Sequence, residues 1–596
     1  MKEHNENMEE QNEDVKKEQN EDMKKENGNN ARKVKIISMV VAAVVLGGLA
    51  ITAVLFLHNP YITVPVDYRT IQSAIEAADD GDVIVVEPGL YYEQIDFLGK
   101  NITLKSIDPE DPEVVAETII DGRRRGSVVT FQNGESKDAV LKGFTIASGI
   151  GTRDTLIHRY KGEEYIEESY YGGGIYISGG SSPTVTLNLI ESNEVDHDNA
   201  AGGGIAILDN SNPYIINNTI ENNSSYNGGG IYVWNSNPII EDNTITDNKA
   251  RNYGAGLFVD FESNPRISGN SIENNSSTSG GGIAIFYSDP LITGNTINNN
   301  RAIWYGGGVS VLDGSPTIDN NDISNNTAKN NGGGIALAEG SNPEIINNSI
   351  MKNYTEENGG GIAVLDGSEP IIIDNIIAEN VVLFGGGGIF IRESSPIIDG
   401  NELLGNIVEL DGGGIAILLD SSPTITANII ENNGAGRFGG GVVIGENSSP
   451  VLEDNTISSN IAEDSGGGIF IQLSSVTFVG NIISDNKALD GSGGGMIIVA
   501  NSSAKVHNNE FTGNYSSEVG GGLVVFDNSV VEMTENVFTG NEAVEMGGAF
   551  IGFGEASIER NDPDDNIYED NIPEDVEDEE NEEDEENEEV NENDND

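Results

Sequence analysis

The 596 residues carry 99 acids against 30 bases, a formal net charge of -69, and no cysteine. So acidic a chain is a poor partner for nucleic acid or anionic lipid and is better matched to divalent cations or cationic groups. The missing cysteines exclude disulfides, thiolate metal sites and a cysteine nucleophile.

Residues 1–33 are almost wholly Glu, Asn and Lys and read as a disordered cytoplasmic tail. Ile36 to Leu57 is a run of 22 residues without a charge. At about 1.5 Å per residue it is long enough for one transmembrane helix, a signal anchor over 34–58. Arg32, Lys33 and Lys35 precede it and His58, Asn59 and Pro60 follow. The positive-inside rule therefore keeps the amino terminus in the cytoplasm and puts the rest outside the cell membrane. A cleaved signal peptide would have a core of only about 7–15 residues and a small-residue cleavage site.

Residues 60–171 form the entry to a repeat. Ile71, Ala74, Ile75 and Ala78 have the spacing of a short amphipathic helix. It is followed by a turn at Gly81-Asp82 and a buried strand at Val83 to Val86. A solenoid's first coil has an open strand edge, and a helix laid over it would cap that edge. An insertion at 151–171, rich in Tyr with Arg153, His158, Arg159 and Lys161, interrupts the rhythm and reads as a lid or a ligand-contacting loop.

From 172 to 560 a Gly-Gly-Gly-Ile motif, as in Gly202-Gly203-Gly204-Ile205, returns every 26 or 27 residues after a first spacing of 30. Each period continues with Ser-Asn-Pro or Ser-Ser-Pro, an apolar pair, and Asn-x-Ile-x-x-Asn, as in Asn218 to Asn223. Three short β-type runs per period, none with helical length or spacing, predict a parallel β-solenoid. The first and third residues of the post-triplet run (Ile205 and Ile207, Ile231 and Val233) are apolar and point inward. The residue between them varies through Ala206, Tyr232, Phe258, Ala284, Ser310 and Phe390 and is expected to face solvent. Asn218, Asn243, Asn270, Asn295, Asn321, Asn348, Asn375, Asn401, Asn428 and Asn455 are expected to stack in a hydrogen-bonded ladder at tight, left-handed corners. The acidic tail 561–596, with 21 acids and no base between Asp562 and Asp596, reads as disordered.

Thr70-Ile71-Gln72-x-Ala74-Ile75-x-Ala77-Ala78, then Gly81-Asp82-x-Ile84-x-Val86-x-Pro88-Gly89-x-Tyr91, then Lys100-Asn101-Ile102-Thr103-Leu104, resembles the entry of right-handed parallel β-helices of the pectin-lyase-like superfamily. Ile119-Ile120-Asp121-Gly122 and Leu141 to Ile146 continue the likeness, which covers about residues 62–560. It implies an all-β right-handed parallel β-helix. Relatives include pectate lyases, pectin methylesterases and polygalacturonases, so a polysaccharide substrate or ligand is the implied class.

Three sets of residues carry candidate chemistry. An acidic row follows the triplet strand at Asp313, Glu339, Asp366, Glu393, Asp420 and Glu446, and oxygen-rich rows suit Ca²⁺. Aromatics and bases collect before the triplet and on the adjoining strand: Tyr226, Tyr232, Trp234, Tyr253, Phe258, Trp304 and Tyr305, with Lys249, Arg251 and Arg301. Exposed aromatics beside hydrogen-bonding groups stack on sugar rings. For catalysis the candidates are Arg392, Glu393 and Asp366, where an arginine and cation-held acids could serve proton abstraction in a lyase. The coils are otherwise too alike to show a catalytic break, and His158, His197 and His507 lie far apart. The leading expectation is therefore a membrane-anchored surface protein that binds polysaccharide or acts as an adhesin. A polysaccharide lyase is the alternative and an envelope spacer the third reading.

Overall fold

The structure is a computed structural model and describes residues 61–160, 163–553, 556–560 and 566–572. The tail 1–33, the anchor 34–58 and most of the acidic tail lie outside the described residues. Among the described residues no helix is long and apolar enough to cross a membrane. The chain divides after residue 62 into two compact units, of which the second, Thr63–Asp596, holds the repeats.

That unit is a parallel β-solenoid of about 17 turns. One coil shows the plan. Ile335–Ala338 follows the glycine triplet, Glu344–Ile346 follows the proline, and Ser349–Met351 follows the first ladder asparagine. Each strand pairs in parallel with its equivalents in the coils before and after, which builds a triplet sheet, a proline sheet and an asparagine sheet. Register is unshifted from coil to coil, as in Ile205↔Ile231 and Ile231↔Leu257. The core is therefore a set of aliphatic columns, such as Ile215, Ile240, Ile267 and Ile292 beneath the proline sheet and Ile220, Ile245, Ile272 and Ile297 beneath the asparagine sheet, all fully buried. Each such side chain contributes roughly 1.5–3 kcal/mol by leaving water.

The corners are held by two asparagine ladders. Asn218 Nδ2 donates to Val185 O at 2.9 Å in the coil before and to Asn243 Oδ1 at 3.0 Å in the coil after. The Asn218 backbone N–H donates to the same Oδ1 at 2.9 Å. The second asparagine of the motif does likewise: Asn223 donates to Ile190 O at 2.8 Å and to Asn248 Oδ1 at 3.1 Å. The left-handed backbone falls one residue earlier than the sequence pattern suggests, at Asn217 (φ 55°) and Asn222 (φ 54°). The ladder asparagine itself is free to turn its amide into the core.

A fourth short strand, absent from the three-run reading, follows the second ladder asparagine. Thr327–Ala328, Tyr354–Thr355 and Val381–Val382 belong to a nine-stranded sheet of such pairs. Its second position is small or β-branched and buried, as at Ala328, Thr355 and Val382.

The helix expected near Ile71 spans Ile71–Ala77, with Ile71, Ala74 and Ile75 buried and Thr70 as N-cap. The Ile71 and Gln72 N–H groups donate to the Glu93 carboxylate at 3.0 and 2.9 Å, which satisfies the first turn. A second helix, Pro112–Glu117, is capped by Asp111. The 151–171 insertion is an antiparallel hairpin of Thr152–Tyr160 and Glu163–Tyr171.

The expectation that the middle residue of the triplet strand faces solvent is corrected by the structure. Ala206, Ala284 and Ser310 are fully buried, and Tyr232 is 5%, Phe258 2% and Phe390 4% exposed. The reason is that each coil folds back. The first glycine of the triplet has a positive φ (Gly202, 72°), and the residue before it lies across the outer face of the strand it precedes. These preceding residues pair with one another in their own ladder, Tyr253↔Ser279, Ser279↔Tyr305 and Tyr305↔Asn331. The triplet sheet is thus covered on both faces.

Candidate carbohydrate-binding groove

The fold-back layer decides which aromatics reach solvent. Tyr253 packs its ring 5.6 Å from Phe258 and 4.3 Å from Phe286, and Phe438 stacks on Phe470 at 4.3 Å. Tyr232 and Phe258, and Trp234 at 4% exposure, lie inside this layer, so they are not a surface platform. Tyr226, Tyr253 and Tyr305 are half-buried, and Trp304 is 51% exposed.

The edge where the fourth strand turns into the fold-back layer carries a groove of about 320 Å³, lined by Glu194, Asp196, Ser224, Lys249, Arg251 and Ser276 among others. Strand pairing puts Lys249 beside Ser276 and Ser276 beside Arg301. At about 4.8 Å per coil the two cations stand roughly 10 Å apart on one line. In the coil of Arg301, three residues on, the Trp304 backbone N–H donates to Thr278 O of the coil before at 2.7 Å, and its indole is exposed.

The cations in and beside the groove are not equivalent. Arg251 is paired with Asp196, and Arg124 with Glu194 at 2.9 Å. Lys249 and Arg301 are exposed and make no ion pair among the described residues. Unpaired cations in a chain of net charge -69 leave donors available for an outside anion.

The acidic row is placed differently. Asp313, Glu339, Asp366, Glu393, Asp420 and Glu446 are all exposed and all have φ between 50° and 59°, so they occupy the left-handed position of the turn after the triplet strand. Their spacing is one coil, broken by a one-residue offset where Asn447, not Glu446, lies against Asp420. Among the described residues no three carboxylate or imidazole groups converge on a point that could hold a metal ion.

Of the catalytic candidates, the structure brings together Arg392 and Asp366, with Nη2 3.2 Å from Oδ1. The Nε of Arg392 is buried without a partner. A guanidinium so held is a fixed positive charge and a poor proton acceptor. Burial raises the Tyr305 hydroxyl above its usual range, Asp366 adds to this, and Arg392 opposes it, so the ring lies near this pair. Glu393 makes no ion pair with Arg392, and its backbone N–H donates to Leu419 O of the next coil at 3.0 Å.

A third cluster was not singled out from the sequence. Asp154 and Glu167 of the hairpin meet Tyr171, Tyr176, Tyr232 and Asp260. The available signal was the aromatic density of the insertion beside an acid, Asp260, at the end of a strand whose equivalents there are Trp234 and Phe286.

No curated protein matches the chain's sequence. Among solved structures, a variant of the PL6 family alginate lyase AlyGC aligns over 85% of this chain and 100% of that one, at 12% identity and a TM-score of 0.29. So loose a superposition carries no inference about activity. The right handed beta helix region family matches residues 164–323, 306–422, 385–538 and 460–562, which together run unbroken through the coils described above. The chain belongs to that family of right-handed β-helices.

Proposed function

We propose that this β-helix binds an anionic polysaccharide along its fold-back edge, displayed outside the cell by the 34–58 anchor. The observation that carries the reading is one ladder holding two unpaired cations, Lys249 at the groove and Arg301 two coils on, with Ser276 between them and the exposed Trp304 three residues after Arg301. The cations fit carboxylate or sulfate groups, the indole fits a sugar face, and repetition along the axis fits a polymer. The net charge of -69 repels an acidic polymer at long range, but salt screens exposed charges beyond about 8 Å, so the preference for acidic over neutral polymers rests on these two local cations.

The test is retention of the full chain on acidic and neutral polysaccharides, with Ca²⁺ or with chelator, while ultraviolet absorbance is followed for unsaturated products. Acidic polymers should be retained in a salt-dependent way and neutral ones should not. Combined Lys249→Ala and Arg301→Ala should weaken retention roughly tenfold or more, since a hydrogen bond to a charged group is worth about 1.5–3 kcal/mol. Retention lost on chelation would bring Ca²⁺ on the acidic row into the binding. Rising absorbance abolished by Arg392→Ala would make the protein a lyase and refute the binding reading. Equal retention of the double variant would refute the groove.

A further inference from the structure

The hairpin Thr152–Tyr160 and Glu163–Tyr171 does not stand clear of the solenoid. Leu156, 2% exposed, enters one buried cluster with Tyr171, Tyr176, Tyr232, Trp234 and Phe258 on the outer face of the triplet sheet. The Tyr171 ring lies 6.2 Å from that of Tyr232, nearly parallel. The hairpin thus covers the first coils where elsewhere the fold-back layer alone does so.

What it covers is polar as well as apolar. Tyr176 donates its hydroxyl to Asp154 of the hairpin, and Tyr232 donates to Asp260 Oδ2 at 3.1 Å. Glu167 faces Tyr171, Tyr232 and Asp260, and Asp209 faces Asp154 and Tyr176. Tyr253 completes the surroundings of Asp260 from the fold-back layer. The titratable groups facing Asp260 and Glu167 are all acids or phenols, and the Phe261 backbone N–H also donates to Asp260. The nearby Arg153 is paired on the hairpin with Glu168 at 2.8 Å. The Tyr171 hydroxyl, in a residue 1% exposed, has no hydrogen-bond partner.

A layer of carboxyl groups without a cation is stable when the groups keep their protons and strained when they do not. Burial pushes Asp260 up to about 7, against a partial offset from the Tyr232 hydrogen bond. Burial raises Glu167 in the same direction. Both are raised in the closed arrangement, so their contribution to closure is complete below the ordinary carboxyl range. It is lost as pH rises through the raised values, that is, between about pH 4 and pH 7.

We infer that the hairpin is a proton-controlled lid: it closes over the tyrosine–carboxylate layer while Asp260 and Glu167 are protonated, and their ionisation releases it and uncovers the ring faces of Tyr176, Tyr232 and Trp234. Ionisation of Asp260 alone shifts the closing equilibrium by up to about a thousandfold, the factor set by a carboxyl moved from 3.8 to about 7.

The chain has two tryptophans, Trp234 in the buried cluster that the hairpin enters and Trp304 exposed further along, so Trp304→Phe leaves one reporter. In the full chain carrying that change, acrylamide quenching of Trp234 should rise several-fold from about pH 5 to about pH 8, with unchanged far-ultraviolet circular dichroism. Adding Asp260→Asn and Glu167→Gln should hold the quenching at its low value throughout. Quenching that does not rise with pH, or that rises equally in the triple variant, overturns the lid. Should the triple variant fail to fold, amide exchange of residues 152–157 and 166–171 in the unchanged chain decides. Exchange that merely keeps pace with the intrinsic rate over the same range, so that protection is constant, overturns it, and protection that collapses there supports it.

Discussion

Asn348→Ala should destabilise the central coils by about 3–5 kcal/mol, several times the cost of an average substitution. Asn348 is 1% exposed, and its Nδ2 donates to Ile318 O at 2.7 Å, Ile346 O at 3.0 Å and Asn375 Oδ1 at 3.0 Å. Its Oδ1 accepts from the backbone N–H and the Nδ2 of Asn321 at 2.9 and 3.0 Å. Alanine therefore leaves an N–H and an amide hydrogen of Asn321, together with Ile318 O, facing a hole too dry to solvate them. Each orphaned group costs about 1–3 kcal/mol. Because a solenoid's coils contact only their neighbours, the loss should be local. Hydrogen exchange should show protection falling in coils around residues 318–375 and little changed near residues 190 or 510. An equal loss along the whole unit would mean that it unfolds as a single cooperative block. Asn342→Ala, which removes one exposed bond from the Glu369 N–H that water can replace, is the matched control and should cost under about 1 kcal/mol.

Gly333→Ala should cost about 3 kcal/mol or more, for a reason opposite to the first: there is too little space instead of too much. A β-carbon at this position would lie 2.6 Å from Gly360 O, 2.7 Å from Tyr354 O and 2.8 Å from Tyr354 N. All three are backbone atoms of the next coil, so no rotamer change relieves the contact. The coil must be pushed away or the strand pairing broken. Gly340→Ala gives the scale. Its β-carbon would meet nothing within 4 Å, and only the backbone angle of φ 75° resists it, a cost of about 1 kcal/mol. Urea unfolding of the two variants, followed by tyrosine fluorescence, should separate them by at least about 2 kcal/mol. If they prove equal, the close approach of neighbouring coils is not what the triplet provides.

The parts of this molecule that were legible in its sequence are those fixed by strict repetition. Ile215, Ile240 and Ile267 recur at one place because unshifted parallel pairing makes each the floor of the next. Asn218 and Asn243 recur because the amide of one is the partner of the other. The covering of the triplet sheet was missed because a single strand with alternating side chains looks the same whether its outer face meets water or another layer. The signal lay down the column instead of along the strand. Ala206, Tyr232, Phe258, Ala284, Ser310, Ala336, Ala363 and Phe390 include no charged residue, which a solvent face in so acidic a chain would not maintain. The candidate binding edge was half visible, since Lys249, Arg301 and Trp304 stand out by type. That Tyr232 and Trp234 fall inside the molecule depends on the fold-back layer and the hairpin together, and the hairpin's placement is encoded by no local pattern. Asp260 and Glu167 become neighbours only through that placement.

The hydrogen bonds that define the corners join residues 25 to 33 apart in the chain and seldom further. In a protein of 596 residues this means that no coil waits for a distant segment to arrive. A chain that emerges in order during its synthesis can wind itself one coil at a time, each new turn completing the donors left open by the one before. The unfinished surface at any moment is a single strand edge, however long the polypeptide. Length then adds little to the difficulty of folding, so the number of coils is free to be set by the reach the protein needs.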